Sequence, residues 1–525
     1  MKKKIGVLLT AALLGSWGCN ENLLDVTNEN TYAVETYFIS PTQYNEAVIG
    51  TYAVFSHEGM MSRVWYFLFD LLANEAERST ALQGDLLQLS DYSYTQNNEQ
   101  VRQYWASLYR MNFRANLAMH VMENWTPVNA AEETLKKQYI AEAHFLRGFA
   151  YFNLVTNFGR VPLKLTYESA NTNNEPRAAV AEVWKVVEDE FKSAQVDLLA
   201  SYANDQRGRA TKGAATAFLG RTYLFEKKYD LAITELSRLR PGGDLNNYTL
   251  DPSYDHLFSE DNINSSEVVF AVNHAYTAGS NQYYMFGGQE GGNARTAHNG
   301  RAQEYGWNDW KNVTVSNALV AAFKYANPET GSTYIDPRAK YTFYSGPAEG
   351  GDIDYCNSCN SGPLPYPYNT NGNGNRWRKY EPYEIQTNTV APMSGINTHV
   401  MRYADVLLML AESYIEQGTN VAAGLSLINE VRNRPSVMAV NYPLTLDQTA
   451  ARSALRLERR IELAGEQSRW FDLNRWGIAR DVLNAEHPAG PSQRAFEEKH
   501  MLLPIPVQEK SINQVMGSDI ANDWN

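Results

Sequence analysis

Tyr305, Gly306, Trp307, Asn308, Asp309 and Trp310 run in succession, so two indoles stand beside an amide and a carboxylate. Aromatic faces cover the apolar side of flat, uncharged rings, while amides, carboxylates and guanidinium groups bond the hydroxyls around the edge. This is the chemistry of carbohydrate recognition. Upstream, Tyr283 and Tyr284 lie among glycine-rich turns, and Gln289, Asn293, Arg295, Asn299 and Arg301 between the two clusters offer partners for hydroxyls. The candidate ligand contacts are therefore Tyr283, Tyr284, Arg301, Trp307, Asn308, Asp309 and Trp310. Trp307 and Tyr283 could equally pack a small core, because buried aromatics are common. Trp65, Tyr66, Tyr92 and Tyr94 are further candidates on a first large loop. Trp377 is expected in a structural strand, and Trp105, Tyr109, Trp470 and Trp476, at helical spacing, in the core.

Catalytic chemistry has a weaker footing. Asp70, Glu75 and Glu77 could be drawn as an acid/base pair on one helix, but a solvated helix face is the expected reading. The sequence has no Gly-x-Ser-x-Gly elbow, no His-Glu-x-x-His and no phosphate-cradling glycine loop with a lysine, and its nine histidines are scattered. Only three cysteines occur. Cys356 and Cys359 form a Cys-Asn-Ser-Cys pair with no second pair to complete a zinc site, so a small local disulfide is the expectation. No metal and no cofactor is expected. A formal charge of -13 argues against nucleic acid, whose phosphates demand clustered Lys and Arg.

The third cysteine, Cys19, follows Lys2 to Lys4 and the apolar run Ile5 to Leu14, the layout of a secretory signal peptide. That run is about ten residues, short of the ~20 that span a bilayer. Residues 1–18 are read as the signal, with acylation of Cys19 giving a lipid anchor to the membrane. Plain secretion after cleavage near Gly18 is the alternative.

Two segments carry the spacing of tetratricopeptide helix pairs. Leu410, Ala411, Tyr414, Ala423, Leu427 and Pro435 form one, and Leu219, Gly220, Tyr223, Ala232 and Leu236 the other. Small residues at Gly220, Ala232, Ala411 and Ala423 would let the paired helices approach closely. A third frame contains Phe145, Gly148, Phe149, Tyr151 and Phe152. Amphipathic stretches at 41–55, 101–125, 179–199 and 446–465 raise the count to about eight helices, or four pairs. Between them, roughly 241–401 is rich in Gly, Asn, Pro and aromatics, with β-like runs at Val268 to Val272 and Lys340 to Tyr344. The expected architecture is mainly α: a tetratricopeptide-like scaffold at about 41–240 and 402–480, interrupted by a loop and β-hairpin insertion that carries the ligand face.

Four motifs give the chain a family likeness. They are Ala141 to Phe152 with Phe158 to Leu163, Arg402 to Glu412, Glu458 to Glu466 with Arg469 to Trp476, and Leu503 to Pro506. In these the chain resembles the RagB/SusD family of outer-membrane nutrient-binding lipoproteins along nearly its whole length. Met516, Gly517 and Ser518 stand where that family usually ends in a Gln-Asn-Pro-Gly-Tyr-like sequence. The resemblance implies residues 19–525 as one SusD-like domain that binds a glycan at the cell surface without catalysis. It also implies a partner, a SusC-like TonB-dependent transporter over which the lipoprotein sits as a lid. Two other expectations compete: a surface glycoside hydrolase accessory using the carboxylates above, and a purely structural lid or scaffold.

Overall fold

The computed structural model describes residues 34–525 except 80–81, 83, 171, 263–264, 276–298, 309, 356–363, 371–372, 382–393, 491–492, 520–523 and 525. Cys19, Tyr283, Tyr284, Gln289, Asn293, Arg295, Asp309, Cys356 and Cys359 lie outside the described residues.

Most of the longer helices fall where the periodicity places them. In the N-terminal half they are α1 (Pro41–Tyr52), α2 (Arg63–Leu72), α3 (Glu99–Glu123), α4 (Ala130–Phe158), α5 (Val180–Asp197), α6 (Lys212–Phe225) and α7 (Tyr229–Ser237). After these come a short α8 (Arg301–Tyr305), then α9 (Tyr403–Gln417), α10 (Val421–Arg432), α11 (Gln448–Glu462) and α12 (Ser468–Arg475). Their starts have local causes. Asn98 caps α3 by accepting from the amides of Gln100 and Val101, Asn129 caps α4 through Glu132, and Thr211 caps α6 through Ala214.

Helices α3 with α4, α4 with α5, α6 with α7 and α9 with α10 pack as neighbours, and α7 lies on α9, joining the two halves. The small residues have the effect expected of them. A Cβ on Gly220 would come 2.5 Å from Leu236 Cδ2 of the paired helix, and one on Gly148 would come 3.0 Å from Glu190 Cβ in α5. Phe145, Phe149 and Phe218 interlock edge to face at 5.5–5.6 Å where they meet. Trp105 and Trp470 are buried, and the Trp470 indole N–H donates to Asn157 Oδ1 at 3.0 Å. Tyr109 and Trp476 are half-buried.

The insertion contributes most of ten short strands: β1 (Ala76–Arg78), β2 (Val268–Val272), β3 (Val313–Val315), β4 (Lys324–Ala326), β5 (Thr333–Ile335), β6 (Phe343–Tyr344), β7 (Asp354–Tyr355), β8 (Leu364–Pro365), β9 (Arg376–Trp377) and β10 (Thr398–Arg402). Among the described residues they make five antiparallel pairs: β1 with β3, β2 with β10, β4 with β5, β6 with β9 and β7 with β8. β2 coincides with the expected run. The run at 340–344 does not stay extended: Ala339–Thr342 is a helical turn, and only Phe343 and Tyr344 form a strand. Trp377 is buried in β9, as a structural strand residue.

The region expected as a first large loop holds α2 instead. Trp65 and Tyr66 lie on this helix, and all four of Trp65, Tyr66, Tyr92 and Tyr94 are buried in the main core. They present no stacking face, and their candidacy as ligand contacts is withdrawn. Among the described residues no helix is long and apolar enough to cross a membrane, and no group of three or more His, Cys, Asp or Glu is placed to hold a metal ion.

Candidate functional site: the loop around Trp310

A short rigid frame presents Trp310. α8 ends at Tyr305, and the Gly306 amide closes the turn onto the Ala302 carbonyl at 2.8 Å. A side chain at Gly306 would put a Cβ 2.3 Å from that carbonyl oxygen, so only glycine fits. The chain then folds back along α8: the Trp310 amide donates to the Gln303 carbonyl at 3.1 Å and the Asn312 amide to the Glu304 carbonyl at 3.0 Å. The buried Glu304 carboxylate also accepts from Asn312 Nδ2 and, across the chain, from Arg63 Nε. Ser79 Oγ donates to the Lys311 carbonyl, and β3 then pairs with β1, Arg78 opposite Val313 and Ala76 opposite Val315. The loop is thus fastened at both ends, while Trp310 is 43% exposed and Asn308 is exposed.

The other candidates divide sharply. Trp307 is only 6% exposed. It packs edge-on against Tyr355 at 4.7 Å and Tyr366 at 5.5 Å, above the stacked pair of Tyr344 and Tyr366. It is the centre of a small aromatic cluster beneath the surface, and its indole N–H is buried without a hydrogen-bond partner among the described residues. Sequence reasoning missed Tyr355 and Tyr368, whose half-buried rings border this cluster. The alternation Pro365, Tyr366, Pro367, Tyr368, which holds two rings on a stiff extended backbone, was the available signal.

Arg301 requires a correction, because it is a core residue at 4% exposure. Its Nη1 donates to the Gly465 carbonyl at 2.7 Å and its Nη2 to Asp70 Oδ2 at 3.1 Å, and its guanidinium lies between the rings of Tyr305 and Tyr380 at 4.8 and 4.7 Å. Asn299 is likewise buried, its Oδ1 accepting from the Arg301 amide.

The carboxylates drawn as an acid/base pair do not share a solvated helix face. Asp70 lies on α2 at 0% exposure and accepts from Arg301, Tyr305 and Gln467. Glu75 sits beyond that helix at 2% exposure, between Arg460 at 3.4 Å and Arg469 at 3.3 Å, and Glu77 is in β1. Neither Asp70 nor Glu75 reaches a surface where a substrate could lie. Burial pushes the Glu75 carboxyl up to about 7, outweighing the pull of the two arginines. A carboxyl raised in the folded state contributes stability fully present below its ordinary value of 4.5 and lost as pH rises through about 7. Glu75→Gln is therefore expected to flatten the fall in melting temperature between those two pH values. An unchanged slope would show that Glu75 does not titrate there.

A model described as the SusD family matches residues 266–516, and a second, described as starch-binding associating with outer membrane, matches 23–224. The chain belongs to the SusD family. This SusD-family protein is 25% identical to SusD-like protein P25 of Formosa agariphila over 100% of its own length and 99% of the relative's. It resembles a SusD superfamily protein of Bacteroides vulgatus of known structure with a TM-score of 0.75 and 22% identity, over 91% of this chain and 98% of the other. A solved structure described as a laminarin-binding SusD-like protein aligns with a TM-score of 0.70 at 25% identity, over 90% and 98% of the two chains. The tetratricopeptide-like helical architecture expected from spacing is the fold of these neighbours.

Proposed function

We propose that this SusD-family protein is a non-catalytic, cell-surface glycan-binding lipoprotein. It captures an oligosaccharide or polysaccharide on the loop around Trp310 and delivers it to a SusC-like TonB-dependent transporter. The observation that carries the reading is the contrast at this loop. A large indole is left 43% exposed on a segment whose every anchor is buried or bonded, an arrangement that loses little entropy when a flat sugar face settles on it. Asn308 beside it offers both a donor and an acceptor to hydroxyls, and Asp309, Tyr283 and Tyr284 are proposed to complete the face. Support comes from relatives: one solved neighbour is described as laminarin-binding, another as a complex with xylogluco-oligosaccharide, and the N-terminal family model is described as associating with the outer membrane. Lipidation at Cys19 after removal of residues 1–18 would supply the anchor.

Affinity electrophoresis of the chain lacking residues 1–19, through gels containing plant, microbial and host glycans, tests the proposal. Retardation by at least one glycan is expected, with Trp310→Ala weakening it about tenfold, the worth of one stacked ring at roughly 1.4 kcal/mol, at unchanged melting temperature. Retardation as strong in Trp310→Ala as in the wild type would remove Trp310 from the site.

A further inference from the structure

On the scaffold, away from the insertion, lies a cleft of about 890 Å³, none of whose lining residues comes from 241–401. Four aromatic rings from four parts of the chain border it: Trp184 of α5, Phe225 at the end of α6, Phe471 of α12, and Trp524 near the C-terminus. All four are half-buried. Their positions are fixed, with Trp184 6.3 Å from Phe225, Phe471 packed on Trp65 and Phe69, and the Trp524 indole N–H donating to the Leu502 carbonyl at 2.9 Å. Asn474 lines the same cleft, and both ends of its amide are buried without a hydrogen-bond partner among the described residues.

The cations of the cleft are already paired. Arg475 is taken up by Glu412 and Asp472, and Lys499 by Glu497 at 3.0 Å. Flat apolar walls, one amide with a free donor and a free acceptor, no cation left over to call for an anion, and the exposed Glu498 carboxylate as a further acceptor describe a site for an uncharged ring that carries adjacent hydroxyls. The volume lies within the range of about 300–1,000 Å³ typical of small-ligand sites. We propose that this cleft is a second carbohydrate site, one that takes one or two neutral pyranose rings independently of the Trp310 loop. Such a site would hold a short sugar against the helices while the insertion engages a longer chain.

The proposal is tested by titrating the chain from residue 20 with the methyl glycosides of glucose, galactose, mannose and xylose and with their 1,3- and 1,4-linked disaccharides. Tryptophan fluorescence and calorimetry follow binding in the Trp310→Ala background, where the loop face is disabled. Saturable millimolar binding of at least one sugar is expected, weakened about tenfold by Asn474→Leu. Met501→Trp, which exchanges one half-buried apolar side chain at the cleft wall for a larger one, should abolish it in protein that still melts cooperatively. No saturable binding in Trp310→Ala protein would overturn the second site, and so would binding that both Asn474→Leu and Met501→Trp leave intact. Neither result bears on the glycan-gel behaviour of the wild type, so the two sites fail separately.

Discussion

Glu462→Ala is expected to cost about 3–5 kcal/mol of stability, because it removes the carboxylate shared by three buried arginines and leaves their network one negative charge short. Glu462 Oε1 accepts from Arg402 Nη1 at 2.7 Å and Arg434 Nη2 at 3.0 Å, and Oε2 accepts from Arg338 Nη1 at 2.8 Å. The carboxylate is 0% exposed and the three arginines at most 1%. Around it, Glu458 binds Arg338 and Arg432, Glu267 binds Arg402 and Arg434, and Glu466 binds Arg402 and Lys379. Burial pushes the Glu462 carboxyl up, but Arg402, Arg434 and Arg338 together hold it well below its ordinary 4.5. A carboxyl lowered in the folded state contributes stability present above 4.5 and lost as pH falls beneath it. The variant should therefore melt well below the wild type at neutral pH, with the gap narrowing in acid. Glu133→Ala, which removes an exposed i,i+4 partner of Lys137, should change stability by less than about 1 kcal/mol. Equal melting of Glu462→Ala and wild type would mean that the network does not hold the fold together.

The second large effect separates two roles for Arg301. Arg301→Met leaves Asp70 buried without the guanidinium that offsets its burial, and should cost about 3–5 kcal/mol. Adding Asp70→Leu replaces the pair with apolar groups, which is often close to neutral, so the double variant should recover much of the loss. Because Arg301 is a core tie and not a ligand contact, the folded double variant is expected to be retarded in glycan gels like the wild type. If it regains stability but loses retardation, Arg301 acts at the glycan after all.

These residues also show what kind of information sequence carries. The stretch from Glu458 to Trp476 is the most specific part of the family likeness, and in the structure it is the charge network of the scaffold: Glu458, Arg459, Glu462, Glu466, Asp472 and Arg475 are all in buried or half-buried ion pairs. Helices were legible because their causes are local, namely caps, apolar spacing, and glycine where two helices touch. The ligand face was only partly legible. Trp307 and Trp310 are three positions apart and identical in type, yet one is a cluster centre and the other is exposed, and the difference arises from Tyr355 and Tyr366, which arrive from 45 or more residues away. Arg301 and Asp70 misled for the same reason. A charged residue is normally solvated, and nothing within either local segment announces the partner 231 positions off.

The pairing of β2 with β10 sets Val272 opposite Thr398 and Val268 opposite Arg402, so everything between leaves the scaffold and returns to it through one narrow ladder. Between those ends the excursion is tied back to the helices at its foot, by the pairing of β3 with β1, by Arg301 on Asp70 and Gly465, and by Arg338 on Glu458 and Glu462, and only its outer turns are left unregistered. Once the two ends are held together, doubling the intervening length costs only about 0.6 kcal/mol in closure entropy. The excursion thus behaves as an exchangeable cassette: its outer turns can lengthen, shorten or change residue type to suit a new sugar, provided that the few inward arginines and glutamates at its foot are kept.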